Sequence, residues 1–373
     1  MKVELSGANQ ASGTGLFITA PNSTVRGIAI NRWTFGIRID GADATGNRIA
    51  GNYVGTDATG AQDYGNGYYG VFISNAFGNT IGGAEAAARN VISGNEQSGV
   101  SMEGQATVDN RIVGNYIGTD ATGTRDLGNQ FFGVQAYQAS KNTVGGATAG
   151  ERNIISGNAG NGVELTGIFT TGNKVLGNFI GADKNGAPVL GNAGNGVYIS
   201  GAGNTVGGTT AAARNVISGN AGSGVSIVGT DATGNRVLGN STFSNGGLGI
   251  DLYDDGPTPN DSGDTDAGPN NLQNKPVLTS AKKSATGTTA IKGTLGSTPN
   301  STIRVQFFSN PSGADEGKTL LGTRSVTTDG SGKVSFTFST KQAIRLGQNI
   351  TATATGPGGN TSEFSAPKRV VAS

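Results

Sequence analysis

The feature that most constrains this chain is an internal repeat of about 31 residues, in two alternating unit types. One type begins with Asn-x-(Ile/Val)-x-Gly-Asn, and its copies start at Asn47, Asn110, Asn173 and Asn235, spaced 63, 63 and 62 residues apart. The other type pairs Asn-Thr-(Ile/Val)-Gly-Gly with Arg-Asn-(Val/Ile)-Ile-Ser-Gly-Asn, and its copies start at Asn79, Asn142 and Asn204. A short Gly-(Val/Ile) segment occurs once per unit, at Gly36, Gly70, Gly99, Gly133, Gly162, Gly196, Gly224 and Gly249.

Each unit contains three short runs in which apolar residues alternate with other residues, as in Val71-Phe72-Ile73. This period of two predicts strands, and the Gly and Asn residues between the runs predict tight corners with positive φ. One unit cannot bury its own inward side chains, but units stacked about 4.8 Å apart share a continuous core. The repeat therefore predicts a three-sided solenoid, in which stacked corner asparagines hydrogen-bond to one another.

From about Ser23 to Asp255, the recurring N-x-I-x-G-N, N-V-I-S-G-N and G-V-x-I patterns resemble right-handed parallel β-helix repeats of the pectin-lyase-like type. The resemblance implies an all-β fold of about eight coils. It does not select a function, because this fold is shared by polysaccharide lyases, hydrolases, epimerases, phage spikes and passive stalks.

The residue inventory excludes several kinds of chemistry. The chain has no Cys and no His, which rules out thiol nucleophiles, His-ligated zinc and the Ser-His-Asp triad. Its net charge is +1, so we expect no nucleic-acid partner, and no apolar run is long enough to predict membrane insertion. The residues after Met1 lack the apolar core of a signal peptide. We therefore expect a mature or trimmed piece of an extracellular or cell-surface protein.

The repeat stops at an acidic junction. The segment DDGPTPNDSGDTDAGPNN places Asp261, Asp264 and Asp266 at spacings that would suit Ca²⁺, the one cofactor that the sequence suggests. The same residues also suit a solvated linker that binds no metal, because Asp, Asn, Gly and Pro are ordinary turn formers. The predicted organisation is a β-helix over 1–256, an acidic linker or cap over 257–272 and a β-sandwich over 273–373.

After Pro276, at least five alternating runs separated by turns predict a small sandwich. The block ITATATGPGGNTSEFS at Ile350 resembles the last strands of bacterial immunoglobulin-like modules. Such modules act mostly as spacers or caps, and an open solenoid end needs a cap.

Outward residues of equivalent strands should form columns along a solenoid. On the third strand of each unit, these columns contain Arg38, Phe72, Tyr137, Glu164 and Tyr198, a combination that suits carbohydrate binding. They also contain Asp40 and Glu103, two coils or about 9.6 Å apart, at the edge of the spacing for an inverting glycosidase.

Aromatic residues also recur in the loops that precede the third strand. Tyr64, Tyr68 and Tyr69 lie there with Phe72, and the counterpart of this group in the next unit of the same type is Phe131, Phe132 and Tyr137. They either stack on saccharides or roof the corner of the coil.

The sequence favours an extracellular stalk or adhesin-like protein that binds a polysaccharide, a cell-surface glycan or another protein without catalysis. The first alternative is a polysaccharide lyase or glycoside hydrolase that uses the third-strand face. The second alternative is a filament subunit that self-associates end to end.

Overall fold

The computed structural model describes residues 2–10 and 12–373. Within these ranges the regular secondary structure consists of β-strands, apart from short 3-10 turns at Ala86–Ala88, Ala149–Glu151 and Pro269–Leu272. No helix in the described part of the chain is long and apolar enough to cross a bilayer.

Three parallel sheets form the sides of a β-helix, and we name each sheet by the order of its strands within the repeat unit. The first-strand sheet contains β3 (Thr24–Arg26), β6 (Arg48–Ala50), β9 (Thr80–Gly82), β12 (Arg111–Val113), β15 (Thr143–Gly145), β18 (Lys174–Leu176), β21 (Thr205–Gly207) and β24 (Arg236–Leu238). The second-strand sheet contains β1 (Val3–Ser6), β4 (Ile28–Asn31), β7 (Tyr53–Val54), β10 (Val91–Ile92), β13 (Tyr116–Ile117), β16 (Ile154–Ile155), β19 (Phe179–Ile180), β22 (Val216–Ser218) and β25 (Ser241–Phe243). The third-strand sheet contains β2 (Thr14–Ile18), β5 (Phe35–Asp40), β8 (Val71–Ser74), β11 (Val100–Glu103), β14 (Val134–Tyr137), β17 (Val163–Thr166), β20 (Val197–Ile199), β23 (Val225–Ile227) and β26 (Ile250–Leu252).

The predicted three-sided parallel β-helix is confirmed, and it has one coil more than the eight counted from the repeat. The additional coil is incomplete: it comprises β1 and β2, which pair with β4 and β5, and no strand of the first-strand sheet precedes β3 in the described residues. Inside the helix, alternate residues of each strand point inward and form one continuous apolar core. Ile39, Ile73 and Met102, from three successive coils, are fully buried in this core.

Three asparagine ladders run along the corners of the β-helix. In each ladder, the backbone N–H of one Asn donates to the Oδ1 of the Asn in the next coil, and in most steps the side-chain amide donates as well. The ladders are Asn47–79–110–142–173–204–235, Asn52–90–115–153–178–215–240 and Asn66–95–129–158–192–220–245. Buried backbone groups at the turns are thereby paired without water.

The corner glycines are required by geometry. Gly118 has a φ of 87°, and a Cβ there would lie 2.2 Å from the carbonyl oxygen of Ser156 in the next coil. Any larger residue would combine backbone strain with a steric clash. Gly at this corner in alternate coils, as at Gly55, Gly118 and Gly181, is therefore a condition for stacking the coils.

Residues after the β-helix form two packed four-stranded sheets. One has the order β31 (Lys333–Thr340), β28 (Thr289–Gly296), β27 (Val277–Lys283) and β34 (Val371–Ala372). The other has the order β30 (Thr319–Thr327), β29 (Thr302–Asn310), β32 (Asn349–Thr355) and β33 (Lys368–Arg369). The pairings are antiparallel except that between β27 and β34. Both sheets contribute to one core around Phe307, so the predicted small β-sandwich is confirmed.

The sandwich covers the last coil of the β-helix. Phe364 packs on the apolar core of the coils, and the carboxylate of Glu316 accepts hydrogen bonds from the backbone and side-chain N–H groups of Asn245. Glu363 accepts hydrogen bonds from Leu252 and Thr258 and forms an ion pair with Lys275 at 2.7 Å. The third ladder therefore ends on a side chain of the sandwich instead of on water.

We predict that removing one rung of a ladder strongly destabilises the protein. Asn153→Ala would leave the backbone N–H of Asn115 without its acceptor in the core, and it would remove the hydrogen bonds from the Asn153 amide to Ile112 and Asn178. The expected loss is about 3 kcal/mol in the free energy of unfolding, measured by urea denaturation. As a control, Asn185→Ala in an exposed loop should change it by less than about 0.5 kcal/mol. Equal effects of the two substitutions would contradict the role assigned to the ladders.

Candidate functional site

The outward surface of the third-strand sheet, here called the third-strand face, carries most of the predicted site residues. Strand pairing places Arg38, Phe72, Ser101, Gln135, Glu164, Tyr198, Ser226 and Asp251 in one column. A parallel column contains Asp40, Ser74, Glu103, Tyr137 and Thr166. The register deduced from the repeat is therefore the register of the structure.

An aromatic cluster of Phe35, Tyr68, Tyr69 and Phe72 stands at the N-terminal half of this face. The ring of Phe35 lies 5.4 Å from that of Tyr68 and 5.5 Å from that of Phe72, and the rings of Tyr69 and Phe72 are stacked at 5.2 Å. Tyr69 is buried, whereas Tyr68 is 41% exposed. The cluster therefore covers the corner of the coil and also leaves aromatic rings exposed to solvent.

The guanidinium of Arg38 lies between the aromatic rings and Asp40. It is 5.7 Å from the ring centroids of both Phe35 and Phe72 and 5.3 Å from that of Phe17. Two hydrogen bonds run from Arg38 to Oδ2 of Asp40. The side chain of Arg38 is 35% exposed, so this cation–π arrangement remains open to a ligand.

Glu103 is held by a different set of partners. Its Oε1 accepts hydrogen bonds from the Tyr69 hydroxyl and the Ser101 hydroxyl, each at 2.9 Å. Burial, together with the hydrogen bond to Glu103, raises the pKa of the Tyr69 hydroxyl. Ser74 lies between Asp40 and Glu103 in their column. The two candidate catalytic carboxylates therefore do not contact each other directly along the column, and each has its own partner, Arg38 for Asp40 and Tyr69 for Glu103.

The C-terminal half of the face is acidic. Glu164 is only 7% exposed and accepts a hydrogen bond from Asn161, and burial raises its pKa to about 7. Burial also raises the pKa values of Asp251 and of Tyr198, and the nearby charges of Glu164 and Asp254 add to the effect on Tyr198. The two columns carry four carboxylates (Asp40, Glu103, Glu164, Asp251) against the single cation of Arg38, a net charge of 1 − 4 = −3 when all four are ionised and of −2 when Glu164 is protonated.

The sequence analysis missed three residues of this face. Phe17 and Phe35 complete the surroundings of Arg38, and Asn161 orients Glu164. Phe35 could have been found from the repeat, because Phe35 precedes Gly36 at the position where Tyr69 precedes Gly70. Phe17 belongs to the coil that the motif count left out.

The structure brings the three predicted metal ligands together. Carboxylate oxygens of Asp261, Asp264 and Asp266 lie within 4.8 Å of one another. Asp264 also accepts hydrogen bonds from Asn274, Gln273 and Ser297, and Oδ1 of Asp266 is buried without a hydrogen-bond partner in the described chain. Burial and the charge of Asp261 raise the pKa values of Asp264 and Asp266. These three residues are the ones that could hold a hard cation.

No protein-family model matches the chain, and no curated protein shows significant sequence similarity to it.

We predict that Glu164 makes stability depend on pH. Its pKa is raised on folding, so the folded protein binds a proton that the unfolded chain releases, and the stabilisation is complete below about pH 4.5 and lost as the pH rises through about 7. Glu164→Gln should remove this loss and raise the free energy of unfolding at pH 8 by up to about 3 kcal/mol. Urea denaturation from pH 4.5 to 8 measures the free energy of unfolding of the wild type and of the variant. The exposed Glu85→Gln should keep the wild-type profile, and a Glu164→Gln profile parallel to wild type would refute the assignment.

We also predict that Asp266→Asn stabilises the protein in EDTA. The substitution removes one negative charge from three adjacent carboxylates, so the gain should be about 0.5–1 kcal/mol after allowance for solvent screening. Thermal unfolding of both proteins, in EDTA and in CaCl₂, measures the difference in stability. If Ca²⁺ raises the Tm of the wild type, the rise should be lost in Asp266→Asn. A destabilised variant in EDTA would contradict the prediction.

Proposed function

We propose that this β-helix protein is an extracellular or cell-surface stalk that binds glycans on the aromatic half of its third-strand face, without cleaving them. The observation that carries the proposal is the group of half-exposed rings around Arg38. Phe17 is 59% exposed and Tyr68 is 41% exposed, and exposed aromatic area that is grouped in one place is typical of a binding surface.

The chemistry of this surface suits a sugar. Pyranose rings present C–H faces that pack on aromatic rings, and their hydroxyl groups pair with carboxylates and guanidinium groups. Phe72 supplies the ring, while Arg38 and Asp40 supply hydrogen-bonding groups at the edge of the cluster. A rigid platform favours binding because little side-chain freedom is lost on association, and the ring contacts within the cluster supply that rigidity.

The partners of the carboxylates favour binding over catalysis. Oδ2 of Asp40 is occupied by Arg38, and Oε1 of Glu103 is occupied by two hydroxyl groups. One observation supports polysaccharide cleavage as a second candidate function. Glu164 has a pKa of about 7, which is the range that a general acid needs at neutral pH.

The stalk part of the proposal is supported by the ladders and the cap. Paired backbone groups at all three corners make the coils stiff, and the sandwich covers the C-terminal coil edge, which would otherwise be open for strand pairing. End-to-end assembly through that edge would require the sandwich to undock.

We predict that Phe72→Ala weakens glycan binding about tenfold, because it removes the ring that stacks on Tyr69 and faces Arg38. Binding to immobilised neutral and acidic polysaccharides, followed by titration calorimetry with the best ligand, measures the effect. Phe77→Ala is the matched control, since Phe77 is 42% exposed but lies outside the cluster. It should retain wild-type affinity within about twofold. The urea midpoint of each variant confirms that it is folded.

The same panel is assayed for new reducing ends and unsaturated products, with and without Ca²⁺, and we expect background levels. Turnover lost in Asp40→Asn, Glu103→Gln or Glu164→Gln would replace the binding proposal by polysaccharide cleavage. Absence of binding to every glycan, or equal losses in Phe72→Ala and Phe77→Ala, would overturn the proposed function.

A further inference from the structure

The corner that precedes the third-strand sheet carries two exposed aromatic rings in equivalent positions. Tyr68 lies two residues before Gly70, and Phe131 lies two residues before Gly133, in coils that are separated by one other coil. Tyr68 is 41% exposed and Phe131 is 47% exposed. Gln97 occupies the same position in the coil between them and is half-buried. We call these three residues the ring row.

The backbone defines where the ring row ends. The amide of Gln97 donates to the carbonyl of Tyr68, and the amide of Gly160 donates to that of Phe131. From there the column continues through Gly194, Gly222 and Gly247, which have no side chains. The row therefore presents a ring, a side-chain amide and a second ring in three successive coils, and on its C-terminal side only glycines follow.

Both rings are held in the same way. Tyr68 packs on Tyr69 with their centroids 4.6 Å apart, and Phe131 packs on Phe132 with their centroids 4.3 Å apart. Each exposed ring thus has a second ring from its own loop behind it, which fixes its position before any ligand arrives. A cavity lined by Arg32, Trp33 and Glu96, among others, opens at the same corner beside the row.

The spacing of the rings points to the shape of the ligand. Two coils span about 9.6 Å along the helix axis. An extended β-1,4-linked pyranose chain advances by about this length over two sugars. Each sugar is turned by half a turn relative to the one before, so sugars i and i+2 present the same face. Tyr68 and Phe131 would stack on those two sugars, and Gln97 would face the sugar between them.

The charge of the neighbouring surface favours an uncharged ligand over an acidic one. In the three coils of the ring row, the two columns of the third-strand face carry the carboxylate of Glu103 and no cation, and the charge of Asp40 in the preceding coil is paired with Arg38. An acidic polysaccharide would be repelled there.

We propose that the ring row binds an uncharged, β-1,4-linked polysaccharide that lies parallel to the axis of the β-helix, with every second sugar stacked on a ring. The inference rests on the proposed glycan-binding function and names its ligand class and direction.

The test is titration calorimetry with β-1,4-linked glucose, mannose and N-acetylglucosamine oligosaccharides of two to five units. A disaccharide reaches one ring and a trisaccharide reaches both, so the trisaccharide of the preferred series should bind about tenfold more tightly, with little further gain for longer chains. Tyr68→Ala and Phe131→Ala should each abolish this step, whereas Tyr68→Phe and the control Phe77→Ala should keep it.

A second variant tests whether the affinity gain depends on the distance between the rings or only on their number. The double substitution Gln97→Tyr, Phe131→Gln keeps two rings but places them in adjacent coils, and it should not restore the step. The α-1,4-linked glucose and galacturonate series are the comparison ligands.

Glycan binding without a step between two and three sugars, or preference for either comparison series, would overturn this inference and leave the proposed function standing. A step that survives in both alanine variants would also overturn it. Failure of every saccharide to bind would overturn both.

Discussion

The structure depends on one constraint, which is that every coil must stack on the next at the spacing of a parallel sheet. Polar side chains that lie inside a corner pair with the same position one coil away and with backbone carbonyl groups of the neighbouring coil. Asn satisfies this condition because its amide donates in one direction along the axis while its Oδ1 accepts from the other. Gly satisfies the complementary condition, since positions such as Gly118 combine a positive φ with a neighbouring carbonyl oxygen that leaves no room for a Cβ.

The same stacking produces the third-strand face. Once the coils are in register, outward residues that are about 31 or 63 residues apart become neighbours, and local clusters arise from distant parts of the chain. Tyr69 reaches Glu103 across 34 residues, and Arg38 contacts the ring of Phe72 from the neighbouring coil. The two halves of the face then differ because the first half carries Phe72 and Arg38, whereas the second half carries Glu164 and Asp251 beside the single ring of Tyr198.

The sandwich supplies hydrogen-bond acceptors at the C-terminal end of the β-helix, where no further coil follows. A ladder that reaches the last coil leaves an amide with no further Asn, and Glu316 supplies the missing acceptor. Its burial raises its pKa to about 6, so the carboxyl group that closes the third ladder is itself titratable near neutral pH. The first ladder ends differently, on Asn270 of the short turn that precedes the sandwich.

The repeat in the sequence was sufficient to determine the fold and the columns of the face. Register in a parallel β-helix is set by repeat length, so strand partners such as Arg38 and Phe72 can be counted from the sequence. The tertiary structure alone decided which side chains of the face are free. Asp40 is paired with Arg38, Glu103 is held by Tyr69, and Glu164 is buried with a raised pKa, and none of these states follows from a column position. Side-chain partners, burial and the docking of the sandwich depend on loops and rotamers that differ between otherwise equivalent coils, and a periodic sequence pattern carries no information about them.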